Sequence, residues 1–127
     1  MPDPPRPTDA ELEILSVLWS RGPATVRAVH EALAGRKPAQ YTTTLKLMQI
    51  MAGKGLLRRD ERQRAHVYTP ARPREWTQRQ MAGDLLRRAF GGSARSFMLG
   101  ALSARRASRR ELAELRALLD EYEKGAK

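Results

Sequence analysis

The sequence predicts a mainly α chain in two parts, three short helices closed by a β-hairpin and then three further helices. Three observations predict it. Apolar residues recur at three- and four-residue intervals in successive stretches, each bounded by a capping residue or by a Gly or Pro stop. Between residues 56 and 69 that period gives way to two short segments, the second alternating. Pro70 and Pro73 then bracket a shift of composition.

Pro2, Pro4, Pro5 and Pro7 fix φ and remove backbone donors, so residues 1–7 read as a disordered, extended tail. Thr8-Asp9-Ala10-Glu11 reads as a capping box, in which hydroxyl and carboxylate satisfy each other's orphan N–H groups. It opens a first helix running to about Arg21, with Ile14, Leu15, Leu18 and Trp19 at helical spacing and Gly22-Pro23 as its stop. A second helix, Thr25 to Ala34, sets Val26, Val29 and Leu33 on one face; Gly35 can end it, and Pro38 enforces a break. In the third, about Tyr41 to Gly53, Leu45, Met48, Met51 and Ala52 form a core face. Thr42, Thr43, Lys46, Gln49 and Gly53 lie toward the other side. Leu56–Glu61 and Ala65–Thr69, separated by Arg62-Gln63-Arg64, then suggest paired strands, although the turn lacks the usual Gly or Asn.

The domain boundary is placed at the prolines, giving parts 8–71 and 72–127. In the second part a fourth helix spans about Glu75 to Phe90, with Met81, Leu85, Leu86 and Phe90 available for burial, and Gly91-Gly92 ends it. A short apolar helix follows, Ser93 to about Leu102. Ser108-Arg109-Arg110-Glu111 repeats the capping-box pattern and opens a sixth helix striped with Leu112, Leu115, Leu118, Leu119 and Tyr122. Three helices in so short a span make a poor independent core, so this part is expected to be a three-helix dimerisation domain, burying its stripe against a second copy about a two-fold axis. Leu85, Leu86 and Phe90 are assigned to the same dimer face.

Composition narrows the function classes. The 24 Lys and Arg against 14 Asp and Glu give a formal charge of +10, which attracts polyanions. No apolar run is long enough to span a bilayer and the N-terminus has no hydrophobic stretch of the signal-peptide kind, so the expectation is a cytoplasmic protein without membrane insertion. Cysteine is absent, which excludes disulfides, thiolate zinc sites and a cysteine nucleophile.

Three helices followed by a basic hairpin is the order of a winged helix-turn-helix, whose third helix enters the major groove of DNA while the wing tracks phosphates. The charge agrees. From Arg36 to His66 the basic residues are Arg36, Lys37, Lys46, Lys54, Arg58, Arg59, Arg62 and Arg64, and the acidic ones are Asp60 and Glu61 alone. Thr42 and Thr43 open the third helix, where hydroxyls and amides can meet phosphate or base edges; simple N-capping is the other use of such residues. Lys46, one turn on, is a candidate DNA contact, and Gln49 could pair with an adenine edge. Lys54, Arg62 and Arg64 suit phosphates better than bases. The expected partners are double-stranded operator DNA and a second copy of the chain.

The strings Thr8-Asp9-Ala10-Glu11-Leu12-Glu13-Ile14-Leu15, Gly22 to Leu33, Tyr41-Thr42-Thr43 and Lys54-Gly55-Leu56-Leu57 resemble the penicillinase-repressor family (BlaI/MecI/CopY). So do Gly91-Gly92-Ser93 and Glu111 to Glu121, and their joint order and spacing across about residues 8 to 122 make the likeness specific. The resemblance implies an N-terminal winged helix, a C-terminal dimerisation domain, and repression of genes for antibiotic resistance or metal homeostasis. It also implies release by a membrane sensor protease that triggers a cut at an Asn-Phe bond in the fifth helix; a small-molecule inducer, another cut or slow turnover are the other routes. Alignment on Gly91-Gly92-Ser93 places Gly100-Ala101 at that bond, and loss of the aromatic predicts no cleavage there. Further departures are the missing cysteine cluster of the copper-responsive branch, Ile50 where many members have Arg, Ala39 where an aromatic is common, Lys46 where Thr is frequent, and no Gly near Gln63.

Other residues read more plainly. His30 and His66 lack ligand-spaced companions, so no metal and no cofactor is expected. Trp19 and Trp76 read as packing residues, and Glu111, Glu114, Asp120, Glu121 and Glu123 as a solvated, salt-bridged face. With no nucleophile motif and no Gly-rich phosphate loop, the chain is not expected to be an enzyme. The competing reading is a winged-helix module that docks on RNA or on a protein partner without operator specificity.

Overall fold

In a computed structural model describing residues 6–35 and 40–126, the first helix, α1 (Asp9–Arg21), begins where the capping box places it. The Thr8 hydroxyl accepts from the Glu11 N–H at 3.2 Å, and the Glu11 carboxylate accepts from the Thr8 N–H at 2.9 Å. α1 ends at Gly22, whose φ of 93° turns the chain into β1 (Ala24–Thr25). The Thr25 hydroxyl then caps α2 (Val26–Ala34) by accepting from the Ala28 N–H. The prolines through Pro5, the break at Pro38 and the departure at Ala39 lie outside the described residues.

α3 (Tyr41–Lys54) closes on Gly55 in the left-handed region, φ 85°, with the Leu56 N–H donating to the Met51 carbonyl at 2.9 Å. The chain thereby reverses into β2 (Leu57–Asp60), which pairs antiparallel with β3 (Val67–Pro70) from Leu57↔Pro70 to Asp60↔Val67. β1 pairs with the other edge of β3, Ala24↔Tyr68 and Thr25↔Val67, so the sheet order is β1-β3-β2. That two-residue strand was not expected, and it turns the hairpin into a three-stranded sheet. The helices pack on it through Ile14, Leu15, Val17, Leu18, Val26, Val29, Met48 and Met51, joined by Leu56, Leu57 and Tyr68, all buried.

The remaining helices are α4 (Arg74–Arg88), α5 (Ala94–Ala104) and α6 (Arg109–Gly125). The described residues form two compact units, one ending at Ala82 and one beginning at Gly83, with the division inside α4 and downstream of the prolines. No described residue of the second unit is buried. The capping box expected at Ser108 forms only by half: the Ser108 hydroxyl accepts from the Glu111 N–H at 3.0 Å, but the Glu111 carboxylate is taken by the Arg105 guanidinium at 2.9 Å. A charge-assisted bond to arginine is stronger than one to a neutral backbone amide, which accounts for the difference.

Candidate nucleic-acid interface

α3 buries Thr44, Met48 and Met51 and exposes Thr42, Thr43, Lys46, Gln49, Ile50 and Gly53. Helical spacing brings Thr42, Lys46, Gln49, Ile50 and Gly53 into one outward column. The N-cap is Gln40, without a side-chain capping bond, so neither Thr42 nor Thr43 is used up as a cap. Ile50 is an exposed apolar residue in the middle of that column, suited to the methyl group of a thymine. Sequence reasoning noted it only as a departure from a pattern.

The hairpin tip, residues 61–66, carries Arg62, Arg64 and His66, all exposed. Arg62 clasps Asp60 through Nε at 3.0 Å and Nη2 at 2.7 Å, and its own N–H donates to the same carboxylate at 3.0 Å. The Arg62 side chain, followed by that backbone N–H, lowers the Asp60 carboxyl to about 2. Arg59 holds Glu61 at 2.7 Å. Its own pKa is raised, first by a hydrogen bond with Tyr68, its cross-strand partner, and then by the Glu61 charge. Arg64 has no carboxylate partner among the described residues.

Lys54 stands apart from this surface. Its ammonium donates to Glu11 Oε2 at 2.8 Å, tying the C-terminus of α3 to the N-terminus of α1. Burial by itself would raise the Glu11 carboxyl, but the Lys54 hydrogen bond, the Thr8 N–H and the Lys54 charge outweigh it and leave the pKa below its ordinary value. A phosphate would have to compete with Glu11 for Lys54, and with Asp60 for Arg62.

Along the flank of α3, Tyr41 and Leu45 form a second column that meets the first at Gln49. With Thr25, Val26 and Arg27 at the start of α2 and Arg64, Ala65, His66 and Tyr68 of the hairpin, they enclose a cleft of about 330 Å³. The Arg27 guanidinium lies over the Tyr41 ring at 5.1 Å. His30 meets that ring edge-on at 5.7 Å, with its Nδ1 3.1 Å from the hydroxyl of buried Thr44. Arg27 and Tyr41 were not singled out from the sequence, because the contact joins two helices and leaves no local pattern. Trp19 packs against the core as expected, its indole N–H donating to the Arg72 carbonyl at 3.4 Å, whereas the Trp76 ring is covered by the Arg72 guanidinium at 4.7 Å.

In the second unit, Leu86, Phe90, Leu112 and Leu115 are half-buried, whereas Leu85, Leu118, Leu119 and Tyr122 are exposed, the last two at 65% and 73%. Phe90 stacks on Phe97 at 4.9 Å, and its ring lies against Gly100.

A trihelical core, a small antiparallel sheet with a basic hairpin, and an exposed polar column on the third helix together define a winged helix-turn-helix protein. The family model described as the penicillinase repressor matches residues 7–121. The chain is 38% identical over 117 residues to the transcriptional regulator BlaI of Mycobacterium tuberculosis, covering 86% of this chain and 84% of that one. It is 26% identical over 118 residues to the penicillinase repressor of Bacillus licheniformis, covering 93% and 92%. The solution structure of the DNA-binding domain of the repressor BlaI is similar at 27% identity and a TM-score of 0.52, over 58% of this chain and 90% of that one. A second solution structure, Bacillus licheniformis BlaI as a monomeric form in complex with the blaP half-operator, gives a TM-score of 0.51 at 27% identity, over 59% and 92%. The chain belongs to the penicillinase repressor family, a family of transcriptional regulators and not of enzymes. Among the described residues, no helix is long and apolar enough to cross a membrane.

Proposed function

We propose that this chain is a transcriptional repressor that binds double-stranded operator DNA as a homodimer, with residues 8–71 reading DNA and 72–127 joining the two copies. The observation that carries the reading is the outward column of Thr42, Lys46, Gln49 and Ile50 on α3 beside a basic wing. α3 enters the major groove, where Lys46 and Gln49 address base edges and Ile50 a thymine methyl; Thr42 and Thr43 meet the strand at the helix start. The likeness to a BlaI structure in complex with a half-operator supports DNA as the partner.

Dimerisation is supported by the lack of any buried residue among the described residues of the second unit and by the exposed Leu85, Leu118, Leu119 and Tyr122. Two copies about a two-fold axis present two α3 helices, so the operator is an inverted repeat with half-site centres one helical turn or a multiple apart. Repression takes place in the cytoplasm, on genes of β-lactam resistance or a related stress response. It is relieved by a sensor protease acting elsewhere than Gly100-Ala101 or by a small-molecule inducer.

Footprinting on the promoter upstream of the chain's own gene tests this. Paired protected half-sites, bound roughly 10³-fold or more tightly than random duplex, are expected. Equal affinity for random duplex, or preference for RNA, would replace the repressor with a non-specific docking module.

A further inference from the structure

When a helix occupies the major groove and a wing the neighbouring minor groove, one phosphodiester strand runs between them and must cross the gap separating the two elements. Here that gap is the cleft between α3, the start of α2 and the hairpin tip. Arg27, Arg64 and His66 line it, and no carboxylate does. The neighbouring wing arginines differ: Arg59 is neutralised by Glu61 and Arg62 by Asp60, whereas Arg27 and Arg64 have no acidic partner among the described residues. Arg27 is also held in place. Its guanidinium rests on Tyr41, and Tyr41 is braced by His30, which is hydrogen-bonded to the buried Thr44. Stacking on a ring occupies the face of a guanidinium and leaves its N–H edge to donate, which suits a phosphate.

We propose that this cleft seats a backbone phosphate of the DNA strand running between the two grooves, with Arg27 and Arg64 as its cationic arms and His66 as an additional N–H donor. The inference rests on the DNA-binding reading above and adds Arg27, His66 and the positioning residue Tyr41 to the interface. It gives Arg64 one defined partner instead of general attraction to the duplex. Because the contact is to phosphate, it strengthens binding to all sequences alike and sets the register in which α3 meets the bases.

The test is fluorescence anisotropy of the full chain on a mixed-sequence duplex of about 30 base pairs, between about 50 and 200 mM salt. Arg27→Ala and Arg64→Ala should each flatten the slope of log affinity against log salt by about one, which reduces the loss of binding across that range by about 3.5-fold per arginine. Arg27→Lys should restore the slope while binding more weakly than wild type, since charge returns without the stacked fork. A purely packing role for Arg27 would instead lower affinity at an unchanged slope. Unchanged slopes in both alanine variants, with wild type binding normally, would overturn the phosphate seat and leave the repressor reading intact; no wild-type binding to duplex at any salt would overturn both. Inorganic phosphate and adenosine monophosphate at matched ionic strength should displace no more duplex than chloride does. Saturable displacement by either from wild type but not from Arg27→Ala would assign the cleft to a free phosphate ligand and overturn the proposal.

Discussion

Replacing Lys54 by methionine should destabilise the protein more than replacing its partner Glu11 by glutamine, although both changes break one 2.8 Å ion pair. The asymmetry comes from access to water. Glu11 is 1% exposed, so without the ammonium its charge is stranded, with the Thr8 N–H and hydroxyl as its remaining neighbours. The Lys54 side chain is 35% exposed and can turn to solvent when Glu11 loses its charge. Stranding a buried charge costs about 3 to 5 kcal/mol; discounting for the exposed side of the pair gives about 2 to 3 kcal/mol for Lys54→Met. Glutamine keeps an oxygen for the Thr8 N–H and so preserves the capping box, which leaves about 1 kcal/mol for Glu11→Gln. At roughly 4 to 8 °C per kcal/mol for a domain of this size, the two variants should be separable by thermal melts.

The pH dependence fixes the sign. In the wild type the Glu11 pKa is lowered, so the pair's contribution is fully present above the unfolded value of 4.5 and is lost as pH falls through the folded value. In Lys54→Met burial is opposed only by the Thr8 hydrogen bonds, so the carboxyl rises relative to the wild type; the penalty is then greatest at neutral pH and shrinks on acidification as the group takes up a proton. Urea unfolding at pH 7 and at about pH 4.5, read by circular dichroism, measures both arms. Equal losses for the two variants, or a Lys54→Met penalty that does not change with pH, would refute the reasoning.

Leu119→Asp, at a position 65% exposed in the single chain, should leave the first unit folded and convert the dimer to monomer in sedimentation equilibrium; a wild-type monomer at micromolar concentration would remove the premise. Lys46→Ala should cost about 1 to 3 kcal/mol on the operator and much less on random duplex, since the loss is of a base contact; equal losses on both would make Lys46 a phosphate contact. Mass spectrometry of the repressor from β-lactam-treated cells should show no fragment ending at Gly100 or starting at Ala101, and recovery of either would show that the bond is cut without its aromatic residue.

What was legible in the sequence was whatever is encoded locally. Thr8 and Glu11 are three residues apart, and both halves of their capping box form. The polar column of α3 follows from helical spacing alone, and the structure exposes every residue read from it. The misses share a different cause. β1 has two residues, too few for a period to register, and it exists because β3 offers it an edge. Glu111 satisfies the capping-box pattern as well as Glu11 does, but Arg105 lies close enough to take its carboxylate. Lys54 lies 43 residues from Glu11 and Arg27 meets Tyr41 across two helices, so their commitments arise only in the assembled fold. Charge counting along the chain weighs Lys54, Arg62 and Arg64 equally, although two of the three are already neutralised by partners.

The absence of any buried residue among the described residues of the second unit bears on gene dosage. If this unit acquires an interior only when two copies meet, as the proposed dimer requires, its folding and its association are a single event. Where dimers are scarce, operator occupancy then rises as the square of the number of chains, and halving that number cuts occupancy about fourfold by mass action. A promoter held by such a protein opens abruptly once synthesis lags behind dilution by cell growth, and closes as abruptly when copies accumulate. In the proposed dimer, the unit without buried residues would thereby make the response of the DNA-reading unit steep.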